Sequence, residues 1–366
     1  MCSFKRLAYT ISALLLVACQ TSHTIPIKFE RNTSVDNFIS FIDYIEVLPL
    51  ENDGVHFLGA DPELYICGDN YVIVDKFNKS INRYSVNGEF LNKIGNYGNG
   101  PFEYSTIDNI QVLSDSLINV YSSPGKVMTF TKTGDFIKSA TIKEHGIQTY
   151  HVDNGYLTYF GNGKGTTHRL FFNKYGKSKK MLDATDKVLN FSSNVPLFSK
   201  NRDESIAVLD SYNPIIYKYK NEILSEYVVF DFSETSVPSS YYKQEDPFTA
   251  SNMLFSQDFS IVRRYFENDD YSFVEVYTRH PSGPPTFTYG IKSEGVWKWF
   301  STGPVGKTPL TASFRTLDSD NFLYAIVDPL CIYSCQPEIL AKINNHNILK
   351  SITQEDNYVI FKIKLN

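Results

Sequence analysis

The residues most able to do chemistry fall in two short runs of the chain's second half. Arg263 and Arg264 stand side by side inside an otherwise apolar run, so in a strand one of them must face inward. Tyr277, Thr278, Arg279, His280 and Pro281 close the next run and open a loop, where ligand-contacting side chains concentrate. Arg263, Arg264, Tyr277, Arg279 and His280, together with His151, are the candidate ligand-binding residues. The competing role for the arginines is structural, an ion pair with acids of a neighbouring unit.

Elsewhere the chemistry thins out. The histidines beyond residue 18 are His23, His56, His145, His151, His168, His280 and His346. None stands in an H-x3-H or H-E-x2-H pattern, so no metal site is assigned. Gly303-Pro304-Val305-Gly306-Lys307-Thr308 invites comparison with a phosphate loop. Position 301 is Ser where that motif needs Gly, and Pro309 follows where a helix must start. The run therefore reads as a turn. The Gly-rich stretch 95–104 (GNYGNGPFEY) also lacks a following helix. It reads as a tight crossover in which Glu103 accepts hydrogen bonds from backbone amides. No G-x-S-x-G elbow is present. No catalytic residue and no cofactor is assigned.

The first residues read as an address. Lys5 and Arg6 precede an eleven-residue apolar run at 7–17 (LAYTISALLLV). That is the length of a signal-peptide core and short of the about 20 residues that span a bilayer. Leu16-Val17-Ala18-Cys19 resembles a bacterial lipobox, in which the cysteine is acylated and becomes the new N-terminus. The expected organisation is a signal peptide at 1–18, a tether at 19–40 and one folded domain at 41–366. Several acyl chains on Cys19 would anchor the protein stably, since one chain binds only marginally. Gln20-Thr21-Ser22-His23-Thr24 holds no acid. An acidic stretch there resembles a surface-export signal, so its absence points to the periplasmic face of the outer membrane. Of the remaining cysteines, Cys331 and Cys335 either close a small disulfide or stay as two thiols.

Charge narrows the partners. Removing 1–18 takes Lys5 and Arg6 and leaves 33 basic against 40 acidic residues, a net of −7. An acidic chain without a basic block has no footprint for nucleic acid. The 25 Tyr and 27 Phe favour strands, on whose pleated faces aromatic side chains pack well.

The elements that must position these residues form a repeat. A strand, a glycine turn and a second strand recur around Gly88, Gly134 and Gly176, which are 46 and 42 residues apart. Asn221 continues the series 45 residues later, Asn being the side chain best able to replace Gly at positive φ. A fifth, divergent copy turns at Gly295. Upstream of each copy a hairpin turns on Asp or Asn. Four-stranded units at 42–46 residue spacing are propeller blades. The prediction is an all-β, six-bladed β-propeller of four-stranded antiparallel blades. The sixth unit lacks a local strand, which 41–50 (FIDYIEVLPL) supplies beside 358–365 (YVIFKIKL). The stretch 337–352 between them reads as a helical or loop insertion.

Ile94-Gly95-Asn96-Tyr97-Gly98-Asn99-Gly100-Pro101-Phe102-Glu103-Tyr104 resembles the IG-x-x-G-x-GP-x-EY signature of six-bladed β-propeller lipoproteins common in Bacteroides. Tyr71-Val72-Ile73-Val74-Asp75, the turn at Val86-Asn87-Gly88-Glu89, the start at Ile45 and the end at Lys364 support it. More distantly the blades are similar to NHL-type propellers, a group of binding modules and a few enzymes. The resemblance implies fold and envelope location, and no reaction. The expected function is a lipid-anchored, non-catalytic module binding a protein, peptide or glycan. The alternative is an envelope enzyme, a metal-dependent lyase or glycan hydrolase, with its site in the axial channel.

Overall fold

Blade 1 shows how the sequence builds each sheet. Its strands are Glu63–Cys67, Asn70–Asp75, Ser80–Ser85 and Phe90–Lys93, paired in that order. The second strand is buried along its whole length, because a blade is covered on both faces by its neighbours. It therefore reads as a continuous apolar run and not as an alternation. The outermost strand alternates between half-buried and exposed positions.

The computed structural model describes residues 24–31, 33–143, 146–161, 168–174, 176–183, 195–210, 213–241, 244, 246–304, 310, 313–332 and 336–366. Five further sheets follow blade 1 around one axis, giving a six-bladed β-propeller. Their first strands are Asn109–Ser114, Gln148–Val152, Phe198–Lys200, Phe259–Glu267 and Phe314–Leu317. These first strands are the innermost, and those of blades 5, 6, 1, 2 and 3 neighbour one another in turn around the axis. At the turn where blade 4 departs from the glycine pattern, Asn221 has φ 51°, the left-handed conformation that the spacing predicts for it.

Blade 6 is closed by both ends of the chain. Its order is Phe314–Leu317, Phe322–Val327, Val359–Leu365 and Ile42–Pro49, with Ile45 opposite Ile363 and Val47 opposite Phe361. These side chains share one core with Phe273, Tyr289 and Phe300 of blade 5. The insertion between the second and third strands forms short helical turns at Pro329–Ile332, Pro337–Leu340 and His346–Lys350. Its Asn345 clips the closing strand, accepting from Val47 N at 3.0 Å and donating to Val47 O at 2.8 Å.

Part of the expected tether is folded. Ile27–Lys28 adds in parallel to the outer strand of blade 4, Ile223–Asp231. Phe29 meets Phe232 and Trp299 edge-on at 5.2 Å each, and Phe38 stacks on Phe300 at 4.4 Å. The two-residue strand is too short to carry a sequence pattern, so only packing reveals it. Residues 1–23, including Cys19, and residue 335 of the Cys331–Cys335 pair lie outside the described residues. No described helix is long and apolar enough to cross a membrane.

Two outcomes check this closure. Deleting 42–49 is expected to abolish cooperative thermal unfolding, because blade 6 loses its outer strand and the shared core. Gly88 has φ +85°, and a Cβ there would lie 2.1 Å from Pro49 O of the closing strand. Gly88→Ala should cost about 1–3 kcal/mol in urea unfolding.

Candidate functional site

The innermost strands of all six blades enclose an axial cavity of about 310 Å³. Its wall is locked in two different ways on its two sides. Between blades 2, 3 and 4 the locks are side-chain amides that pair with backbone as a neighbouring strand would. Asn109 donates to Thr149 O at 2.8 Å. Gln111 donates to His151 O at 2.9 Å and accepts from His151 N at 2.7 Å. Gln148 donates to Val195 O at 2.7 Å and accepts from Leu197 N at 2.9 Å. The Tyr121 hydroxyl also donates to Gln111, at 2.8 Å.

Between blades 5, 6 and 1 the locks are charges. Arg264 is 1% exposed and grips Glu63 of blade 1 with two bonds, of 2.8 and 2.6 Å. Arg315 of blade 6 lies between them, donating to Pro62 O at 2.8 Å and to Asp61 at 2.8 Å. Arg263 reaches Glu275 at 3.2 Å and Asp61 at 3.4 Å. Three guanidinium groups thus face three carboxylates, and the group is neutral as a whole. A bulge between Val262 and Arg264 defeats strict alternation, so both arginines enter one cluster instead of opposite faces. Burial opposes ionisation of Glu63, but Arg264 and Arg315 outweigh it and hold its carboxyl below the usual range. Burial, with Arg264 second, pulls the Arg315 guanidinium down.

The other candidates lie apart from the cavity. His151 gives its backbone to Gln111 while its imidazole packs edge-on to Tyr156 at 5.3 Å. Burial, then Lys138, lowers its pKa. Tyr277 packs edge-on to Phe287 at 5.5 Å, and the Arg279 guanidinium lies over the Phe255 ring at 5.5 Å. His280 sits between Asp258 and Thr286, 3.1 Å from each. Asp258 also accepts from Arg31 at 2.6 Å, so this group fastens the N-terminal segment to blade 5. No group of three or more potential metal ligands occurs among the described residues.

The sequence reading passed over Glu63, Asp61, Glu275, Arg315 and the three amides. One signal was available, since Glu63, Asn109 and Gln148 each open the first strand of a blade. A polar residue recurring at one register position of the innermost strand marks the axis.

The charged lock has a measurable cost. Arg264→Met strips buried Glu63 of its two-bond partner and leaves only Arg315 near it, at 3.8 Å, and should cost about 3–5 kcal/mol. Glu63's folded pKa is depressed, so its contribution is full above its unfolded value and is lost as pH falls through the lower folded one. Stability of the wild type should therefore decline below about pH 4, and less steeply in Glu63→Gln. Urea midpoints against pH check both.

A family profile described as a domain of unknown function, DUF4934, matches residues 22–364. No curated protein matches the sequence. Among solved structures, a Bacteroides fragilis protein described as exported superposes with a TM-score of 0.70 at 15% identity, covering 93% of this chain and 99% of that one. A DUF4221 member from Bacteroides vulgatus superposes at 0.57 with 10% identity, covering 89% and 97%. At these identities the likeness is one of fold.

Proposed function

This chain belongs to the DUF4934 family, a domain of unknown function, and on that footing we propose that it is an envelope binding module. Lipid on Cys19 holds it at the periplasmic face of the outer membrane. The axial cavity takes a small ligand, or a small part of a protein, peptide or glycan, and leaves it chemically unchanged. The observation that carries this reading is the cavity wall. All six blades contribute to it, and its two most deeply buried charged groups, Glu63 and Arg315, are engaged in the ion cluster that joins the blades. A general acid, base or nucleophile must be free to meet substrate. Glu63 and Arg264 are instead clamped together in two hydrogen bonds. At about 310 Å³ the cavity lies at the small end of ligand sites, about 300–1,000 Å³, which suits one small group and not a whole chain.

Pairing of Ile27–Lys28 with blade 4 leaves 19–26 between the anchor and the first residue held by a blade. Eight residues reach about 29 Å at most, so the propeller is held near the membrane surface.

Two measurements test the proposal. Cys19→Ser should move the protein from the membrane to the soluble fraction, and continued membrane association would refute the anchor. For the cavity, a panel of neutral aromatics, sugars and amino acids is scanned by thermal shift. At least one class should raise the wild-type Tm by about 1–2 °C at ten times its Kd, and should fail to do so in Val112→Trp, which fills the cavity. Silence from every class would remove the cavity's assigned role.

A further inference from the structure

Resting on the lipid anchor at Cys19, we infer that the outer rim of blades 2 and 3 lies on the membrane and takes the anionic headgroups of its phospholipids. The ground is a charge asymmetry. Beyond residue 18 the chain carries a net of −7. The outer strands of these two blades, Phe136–Thr141 and Lys177–Asp183, run against that balance. With Lys143 just beyond the first, they hold Lys138, Lys143, Lys177, Lys179 and Lys180 against one acid, Asp183, five charges less one or +4. The outer strand of blade 4, Ile223–Asp231, carries Glu226 and Asp231 instead, and that of blade 6, Ile42–Pro49, carries Asp43 and Glu46. Those of blades 1 and 5 carry one lysine each.

All five lysines are exposed. The ion pairs that this rim makes among the described residues, His168 with Asp183 and Lys174 with Glu222, use none of them. Lysines on an edge strand also guard against pairing with another chain. A guard serves each open edge alike and needs no particular sign, so it does not gather five like charges on two blades of six. Ile137 stands among them, 52% exposed, and an apolar side chain beside lysines is the composition of a membrane-surface contact. Between the two blades the rim opens into a cleft of about 210 Å³ edged by Lys143, Tyr156 and Ser178. That volume equals the liquid share of roughly seven waters, enough for one phosphate group.

The tether brings this rim to the bilayer. Ile27–Lys28 lies on the outer strand of blade 4. The turn before that strand touches blade 3 through Glu222, which accepts from Lys174 at 2.9 Å and from Lys179 at 2.7 Å. The anchor chain thus joins the ring at its rim, one blade from the lysines. Residues 19–26 reach about 29 Å at most, so the bilayer lies within that distance of the outer edge of blade 4. An acyl anchor and a basic patch then act on one surface, each lysine strengthening attachment about fivefold.

The experiment uses full-length Cys19→Ser protein, which isolates the rim from the anchor, and sediments it with phosphatidylcholine vesicles or with vesicles containing phosphatidylglycerol in equal part. Binding should favour phosphatidylglycerol at about 0.1 M salt and vanish at about 1 M, where the Debye length falls to about 3 Å. Lys177→Gln with Lys180→Gln should weaken it roughly twentyfold, and Lys138→Gln with Lys143→Gln as much. Lys93→Gln with Lys350→Gln, the same charge change elsewhere, should alter it less than twofold. Equal binding to both vesicles, or equal weakening by all three pairs, overturns the inference. So does binding to dextran sulfate without binding to phosphatidylglycerol, which would assign the rim to an anionic glycan. The anchor is read separately, from wild-type protein that stays on membranes washed at about 1 M salt, where the rim is screened.

Discussion

The whole ring depends on one strand pair. Ile42–Pro49 and Val359–Leu365 come from opposite ends of the chain and lie in one sheet. A propeller of open sheets has a first and a last blade, each with a face that needs cover. Joining the ends within blade 6 gives every blade two neighbours and removes the free edge. The pairing is cooperative in the chain-entropy sense too, since it ties together segments more than three hundred residues apart. Asn345, the turn at Gly88 and the core shared with blade 5 all bear on the closing strand. Loss of this strand therefore reaches both adjacent blades at once.

Around the axis the blades meet through their narrowest edges, where little apolar area can be buried. The polar locks stand there for that reason. Amides on one side imitate strand pairing, and ion pairs on the other connect three blades through Arg264, Arg315 and Glu63. A buried ion pair adds little net stability relative to apolar packing, but breaking it is costly. It thereby fixes which blade sits beside which. The same use of polar groups shapes function. Groups engaged in holding the wall are not available to a substrate.

The N-terminal segment shows where packing overrides pattern. Its few apolar residues are too sparse for a periodic reading, yet Phe29 finds aromatic partners at blades 4 and 5 and Phe38 at blades 5 and 6. Arg31 ties it to Asp258 and so to His280. Two residues that looked like ligand contacts, Arg279 and His280, belong to this neighbourhood and not to the axial cavity.

By itself the sequence determined the blades. Apolar runs, Asp and Asn hairpins, and turns at a fixed spacing are local signals, and each strand needs only its own pattern to be recognised. It also determined the closure, because one missing strand and one spare strand match by elimination. Tertiary structure alone decided the site. Glu63 and Arg264 are two hundred and one residues apart, and nothing local marks either as the other's partner. The bulge that turns Arg263 and Arg264 to the same side changes one residue's register, which alternation cannot foresee. Which polar groups of the wall are engaged, Glu63, Gln111, Gln148 and Arg315 among them, is settled only once the blades are assembled. That outcome is a property of the assembled wall and not of any segment in it.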